Sequence, residues 1–104
     1  MKLEIRQRDV EVTEVLRAHV ERRLGLALGR FGDRIGRVMV RFSGADGLTG
    51  EKVTRCQIDV SLRPQSVRAG DTDTDLFAAV DSASDRVSRS VARILELESE
   101  RRRP

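Results

Sequence analysis

The stretch DLFAAVDSASDRVSRSVARILELE, residues 75–98, encodes a helix with two separate stripes. At about 100° per residue, Arg86, Arg89 and Arg93 fall within roughly 60° of one another around the axis. Apolar residues form a second stripe at helical spacing, centred roughly 125° from the arginines. Its members are Leu76, Val80, Ala83, Val87, Val91 and Ile94. The pattern predicts a helix that buries one side and holds guanidinium groups beside it, an arrangement suited to a polyanion.

The rest of the chain alternates between strand and helix patterns. Strand periodicity, with apolar residues at every second position, predicts four strands over 2–8, 35–43, 51–62 and 66–72. A first helix follows Thr13, a predicted N-cap, and is expected to end at Gly32 and Asp33. The loop 44–50 is rich in turn residues, and Asp73 or Thr74 is expected to cap the second helix.

The element order is therefore β-α-β-β-β-α. Two helices with apolar stripes need the one apolar face of the sheet, which predicts an α+β two-layer sandwich: a four-stranded sheet with both helices on one face. We expect a single domain over 1–98 and a short polar tail over 99–104. The residues expected to be buried are Leu3, Ile5, Leu16, Val20, Val38, Val40, Cys56, Ile58, Val60, Val67, Val80, Val87 and Val91.

Composition limits the classes of function. The chain has 104 residues, a net charge of +3 and no Tyr or Trp, and its three Phe residues argue against a base-stacking surface. Of 20 basic residues only Lys2 and Lys52 are lysines, which favours planar phosphate contacts but is equally expected of a GC-rich genome. No stretch is apolar enough for a membrane span and no signal segment opens the chain, so we expect a soluble cytoplasmic protein.

The sequence contains no complete residue pattern typical of catalysis or metal binding. His19 lies beside the apolar stripe of the first helix and is interpreted as a half-buried packing residue. Asp71, Asp73 and Asp75 have the spacing of a calcium loop, but the required Gly and Glu are absent, so they are interpreted as helix-capping residues. Cys56 alternates with inward apolar residues and is expected to be an inert thiol. We therefore predict no enzyme, no metal and no cofactor.

The first helix repeats the pattern of the second. Arg23 and Arg30 share one flank beside its apolar stripe, together with His19 and Leu26. If these flanks faced each other across one groove, Arg23, Arg30, Arg86, Arg89 and Arg93 would form a basic cleft. The competing interpretation is that these arginines are solvated surface charge.

Two segments resemble a known family. Residues 10–17, VEVTEVLR, resemble the start of the first helix in the ribosome hibernation promoting factor family, which includes the ribosome-associated translation inhibitors once labelled sigma-54 modulation proteins. Residues 75–81, DLFAAVD, resemble the opening of that family's second helix, and the resemblance extends to about residue 95. Because the chain stops after the second helix, we expect the short form of the family.

The resemblance implies a function. Such proteins bind the small ribosomal subunit, and so its rRNA, in the channel for mRNA and tRNA, and inhibit translation in stress or stationary phase. The resemblance places Lys or Arg at the positions of Arg23, Arg86, Arg89 and Arg93, and Arg30 lies on the same flank as Arg23. We therefore expect all five arginines to bind rRNA through shape and phosphate contacts. We also expect no membrane or small-molecule partner and a monomer off the ribosome. The resemblance does not say whether ribosomes are paired or kept single.

Two departures from the family's pattern support other interpretations. Leu26 stands where members usually carry Lys, and the basic run that ends the second helix is replaced by ILELE, residues 94–98. Exposed leucines such as Leu26, Leu95 and Leu97 are typical of a partner surface, so the alternative is a protein-interaction domain of the same fold with weakened RNA binding. A generic double-stranded RNA binder is a third interpretation, disfavoured because such domains use a different element order.

Overall fold

A computed structural model describes residues 1–102 and shows the predicted element order. The strands are β1 (Lys2–Arg8), β2 (Arg37–Asp46), β3 (Lys52–Ser61) and β4 (Ser66–Asp73). The helices are α1 (Glu14–Leu28) and α2 (Leu76–Arg101), and a 3₁₀ helix, Gly29–Arg34, follows α1 directly.

The four strands form one sheet in the order β1-β2-β3-β4. β1 is parallel to β2, because α1 carries the chain back across the sheet, while β2, β3 and β4 form an antiparallel meander. Side chains of one parity are buried along β2 and β3, and they share a single core with the buried residues of α1 and α2. Both helices therefore cover the same face, and the predicted two-layer α+β sandwich is confirmed.

Strand residues of the covered face and one stripe of each helix build the core. Its fully buried side chains include Leu16, Val20, Leu24, Leu28, Val38, Val40, Phe42, Ile58, Val60, Val80 and Val87. Leu3 and Ile5 were expected to be fully buried and are only half-buried. The reason is their position on β1, which is an edge strand with a neighbour on one side only.

The first helix ends earlier than the sequence predicts. Its N-cap is Thr13 as expected, since the Leu16 N–H donates to Thr13 Oγ1 at 3.2 Å. The α-helix stops at Leu28, and the chain then tightens into the 3₁₀ helix, inside which Gly32 has φ 55°. Gly32 supplies this left-handed conformation at low cost, and it therefore marks the point where the chain leaves the helical layer.

The hairpin between β2 and β3 is shorter than predicted. Residues 44–46 belong to β2 and not to the loop, because their backbones continue the antiparallel ladder as far as the pair of Asp46 and Lys52. The turn is closed by the N–H of Gly47 donating to the carbonyl of Glu51 at 2.7 Å. Thr49 also donates to the Glu51 carboxylate, and this contact holds the pKa of Glu51 below its ordinary value.

The second helix begins one residue later and ends three residues later than predicted. Its N-cap is Asp75, whose Oδ1 accepts from the Phe77 N–H at 2.9 Å, whereas Asp73 and Thr74 were the expected caps. Asp73 supports the cap instead, since it accepts from the Asp75 N–H at 3.0 Å. The helix continues past Glu98 to Arg101 because residues 99–101 include no helix breaker. Of the predicted polar tail, residues 99–101 are therefore helical, Arg102 is the C-cap of α2, and residues 103–104 lie outside the described residues.

Two leucines of α1 provide a matched test of this packing. Leu24 is 0% exposed and Leu26 is 73% exposed, although they lie on the same helix. We expect Leu24→Ala to lower the free energy of unfolding by about 2–5 kcal/mol, because it leaves a cavity in the core. Leu26→Ala should change it by less than about 0.5 kcal/mol. Urea unfolding followed by circular dichroism measures both, and equal effects would contradict the described orientation of α1.

Candidate nucleic-acid interface

Three arginines of α2 form a ridge beside the edge strand β4. Arg86, Arg89 and Arg93 line a shallow groove together with Ser90 and residues 68–70 of β4. Arg86 is partly engaged, since its Nε lies 3.5 Å from Asp71 Oδ2. Arg89 and Arg93 are exposed and have no acidic group within 4.0 Å anywhere in residues 1–102. We call Arg86, Arg89 and Arg93 the arginine ridge; at least two of its guanidinium groups are therefore available to bind an external anion.

The ridge is held rigidly by the residues beneath it. Val87 and Val91 alternate with the arginines along α2 and are 0% exposed, so the helix cannot rotate without exposing them. Because the backbone is fixed, only side-chain freedom is lost when a guanidinium group binds a phosphate. The groups are planar and remain charged at any physiological pH, which suits them to phosphate oxygens.

The arginines of the first helix have different surroundings. Arg23 lies between two carboxylates of α2: its Nη2 donates to Asp85 Oδ1 at 3.2 Å, and its Nε is 3.1 Å from Asp81 Oδ1 at an angle unsuited to a hydrogen bond. Arg30 donates to Ser88 Oγ at 3.4 Å, and its guanidinium carbon lies 4.6 Å from the centre of the Phe31 ring. Both arginines thus bridge towards α2 across the line where the helices meet.

The five arginines are consequently not arranged across one groove, as the paired flanks suggested. Asp81, Asp85 and Ser88, which Arg23 and Arg30 contact, lie on one flank of α2, and the ridge lies about 115° around the axis from them. The seam between the helices is a set of ion pairs and hydrogen bonds, and the sequence analysis missed its two carboxylates. Their spacing, four residues apart on the flank away from the ridge, was the signal that could have identified them.

His19 belongs to this seam. Its Nε2 is 2.7 Å from Asp81 Oδ1, its Nδ1 is 3.0 Å from Arg22 Nη2, and its ring meets Phe77 edge-on at a centroid distance of 5.0 Å. Arginine can only donate and an ionised carboxylate can only accept, so these contacts assign the neutral ring with its hydrogen on Nε2. The Nε2 contact joins α1 to α2 and the Nδ1 contact lies within α1, so neither nitrogen keeps a free lone pair for general-base catalysis.

The three aspartates with calcium-loop spacing each contact a different group. Asp71 faces Arg86, Asp73 accepts from a backbone N–H, and Asp75 caps α2. Residues 1–102 contain no group of three His, Cys, Asp or Glu side chains that could hold a metal ion. Across the same residues, no helix is long and apolar enough to cross a membrane.

The leucines that motivated a protein partner do not form one patch. Leu26 and Leu97 are 73% and 46% exposed, on different helices, whereas Leu95 is half-buried against the core. Leu95 is therefore largely explained by packing, and only Leu26 and Leu97 remain available to a partner.

The fold and the ridge define an α+β domain that presents arginines from a rigid helix packed on a four-stranded sheet. Residues 3–97 match the family described as sigma 54 modulation protein / S30EA ribosomal protein. The chain belongs to this family, and the resemblance of residues 10–17 and 75–81 is confirmed.

Individual relatives agree with this membership. A ribosome hibernation promotion factor of Deinococcus radiodurans is 33% identical over 81% of this chain and 44% of its own length. One from Lactococcus lactis subsp. cremoris is 28% identical over 88% of this chain and 48% of its own. The chain thus spans less than half the length of these relatives. Among solved structures, the N-terminal domain of Thermus thermophilus Protein Y is 33% identical with a TM-score of 0.73, covering 90% of this chain and 99% of that one.

The reactivity of Cys56 tests the expectation that its thiol is inert in the folded protein. It is 0% exposed, and burial raises the pKa of its thiol from 9.0 to about 12. At pH 8 we expect the folded protein to react with a thiol reagent at least about 1,000-fold more slowly than the unfolded chain, because the thiolate is the reactive form. Reaction rates with and without denaturant measure this ratio. Rapid reaction of the folded protein would show that Cys56 is accessible and activated.

Proposed function

We propose that this protein binds the small ribosomal subunit in the channel for mRNA and tRNA and inhibits translation during stress or stationary phase. The single observation that carries the proposal is the exposed, rigid ridge of Arg86, Arg89 and Arg93 in a chain of this family. The names of its relatives support the ribosome as partner, since two are ribosome hibernation promotion factors and a third, from spinach, is a chloroplast ribosome-binding factor.

The binding residues in this proposal have unequal roles. Within the described residues, Arg89 and Arg93 have no competing acidic partner, so they contact rRNA phosphates at the lowest cost, and Arg86 joins them on leaving Asp71. Arg30 is exposed, and its guanidinium contacts the Ser88 hydroxyl and the Phe31 ring, neither of which is acidic, so Arg30 extends the surface to α1. Arg23 must exchange two carboxylates for a phosphate and therefore contributes least to affinity.

The proposal requires no chemistry beyond binding. Phosphate contacts fix the orientation of a protein on RNA without reading its sequence. A domain held this way inhibits by occupying space that mRNA and tRNA need, so that no catalytic group is required. Its site of action is then the cytoplasm, where ribosomes translate, and we expect a monomer off the ribosome.

The salt dependence of ribosome binding tests the phosphate contacts. The three contacts of the ridge alone predict that log affinity falls with log salt at a slope of about −2 to −3, because each contact releases counterion. Cosedimentation with small subunits should therefore weaken at least about 20-fold between about 50 mM and about 200 mM salt, and more if Arg30 also contacts phosphate. Binding that is unchanged by salt would indicate a protein partner, such as one using Leu26, in place of RNA.

A matched pair of charge reversals tests the site itself. We expect Arg89→Glu to abolish most cosedimentation with small subunits and most inhibition in a cell-free translation assay, because it places a carboxylate against phosphate at the centre of the ridge. Arg17→Glu makes the same charge change on an exposed residue of α1, on the flank away from α2, and should leave both nearly intact. Both variants should fold, since exposed charge changes shift stability by under about 0.5 kcal/mol. Equal losses in the two variants would show that net charge alone, and not the ridge, drives binding.

A further inference from the structure

The sheet face opposite the helices is strongly basic. The strand register places seven basic and only two acidic side chains on this open face. The basic residues are Lys2, Arg6, Arg8, Arg37, Arg41, Arg55 and Arg68, and the acidic ones are Glu4 and Asp59. The whole chain has 20 basic and 17 acidic residues, so the remainder has 13 basic against 15 acidic. The net positive charge of the protein is therefore concentrated on the open face of the sheet.

Both acidic residues of this face are already paired. Glu4 Oε1 lies 3.1 Å from Arg6, and Asp59 Oδ1 lies 2.5 Å from Arg68. Arg8, Arg41 and Arg55 are exposed and have no acidic group within 4.0 Å in residues 1–102. These three line one shallow depression, in which Ser43 and Gln57 add neutral hydrogen-bonding groups.

Within residues 1–102, only the Glu4–Arg6 and Asp59–Arg68 pairs offset this clustering. Arg6 and Arg41 are register partners on neighbouring strands whose backbones are about 4.8 Å apart, and Arg8 and Arg55 flank Ser43 one row further on. Like charges at such distances repel one another. The helices do not reach this face, so the arginines support no packing. An external anion would relieve the repulsion, which indicates a binding surface.

The chemistry of the face selects the kind of anion. The basic residues extend from the row of Lys2 and Arg37 to the row of Arg8 and Arg55, six residues apart or about 20 Å along the strands. They also span all four strands, forming a two-dimensional array that suits phosphates on both sides of a duplex groove. No aromatic side chain lies on this face to stack unpaired bases, since Phe42 points into the core. Its larger apolar side chains, Met39 and Val53, are both only partly exposed, so the face has no anchor for a bilayer.

We propose that the open face of the sheet is a second RNA-binding surface, in which Arg8, Arg41 and Arg55 hold the phosphate backbone of a double-stranded RNA segment. Arg8, Arg41 and Arg55 lie outside the groove that the ridge on α2 lines with residues 68–70, and the proposal stands or falls independently of the proposed function. If the ridge also binds rRNA, the domain is held between two RNA segments, one on each of its two layers.

The experiment uses the whole chain and an RNA duplex of about 20 base pairs with no ribosomal sequence, long enough to cover the face. The variant Arg41→Glu/Arg55→Glu is compared with Arg17→Glu/Arg101→Glu, which makes the same change in net charge at exposed residues away from the open face. Fluorescence anisotropy at several salt concentrations gives affinity and salt slope. Amide chemical shifts of the wild-type protein during the titration report which face the duplex contacts.

We expect the sheet variant to bind the duplex at least about tenfold more weakly than its control, with a salt slope smaller by about two. Amide shifts should concentrate in residues 6–8, 41–43 and 55–57, and should persist in Arg89→Glu. Equal affinity of the two double variants, or shifts confined to α1 and α2, would overturn the proposal. Preferential shifts of this face with an acidic peptide instead of the duplex would overturn it in favour of a protein partner. Loss of small-subunit binding by Arg89→Glu alone bears only on the ridge, so the two proposals fail separately.

Discussion

Burial of one stripe of α2 on the sheet is the constraint on which the other features depend. Val80, Val87 and Val91 are 0% exposed, and this determines the rotation of the helix about its own axis. Once the rotation is set, every other side chain of α2 has a fixed direction: one flank faces α1, and the opposite flank faces the edge of β4. The arginine ridge and the acidic flank are both consequences of the same apolar stripe, since helical positions cannot be moved independently.

The seam between the helices shows how a heavily charged chain positions two helices beside each other. His19 and Arg23 share Asp81, Ser88 donates to the Ala27 carbonyl at 2.9 Å, and Arg34 donates to Glu98 at 2.8 Å. Each such contact contributes modestly to stability, because its partners are partly solvated. Their main effect is on geometry, because they fix the position of α1 along the axis of α2. An apolar interface alone would determine this position less well. They also neutralise Arg23, so the acidic residues that orient the helices reduce the positive charge of the helical layer.

Much of this architecture could be predicted from the sequence because each step rests on periodicity. The alternation in residues 2–8 and 66–72 and the helical spacing in 75–98 correspond to real elements, and the two-layer arrangement follows from having one apolar sheet face. The predicted ends of the helices were less accurate, because neighbouring residues compete to cap or end a helix. Asp73, Thr74 and Asp75 are all good N-caps, and only the backbone direction entering α2 selects Asp75. The tightening after Leu28 depends on how the chain re-enters the sheet, which local spacing does not encode.

The distribution of charge shows why the site was harder to predict than the fold. Helical spacing correctly placed Arg86, Arg89 and Arg93 together, and it also places Asp81 and Asp85 on one flank of α2. It does not indicate that this flank faces Arg23, about 60 residues away in the chain. The charge of the open sheet face is equally hidden, since Arg8, Arg41 and Arg55 lie on three different strands. They become neighbours only through the parallel register of β1 with β2 and the antiparallel register of β2 with β3. A modest net charge of +3 thus conceals a nearly balanced helical layer and a strongly basic sheet face, and only the strand pairing separates the two.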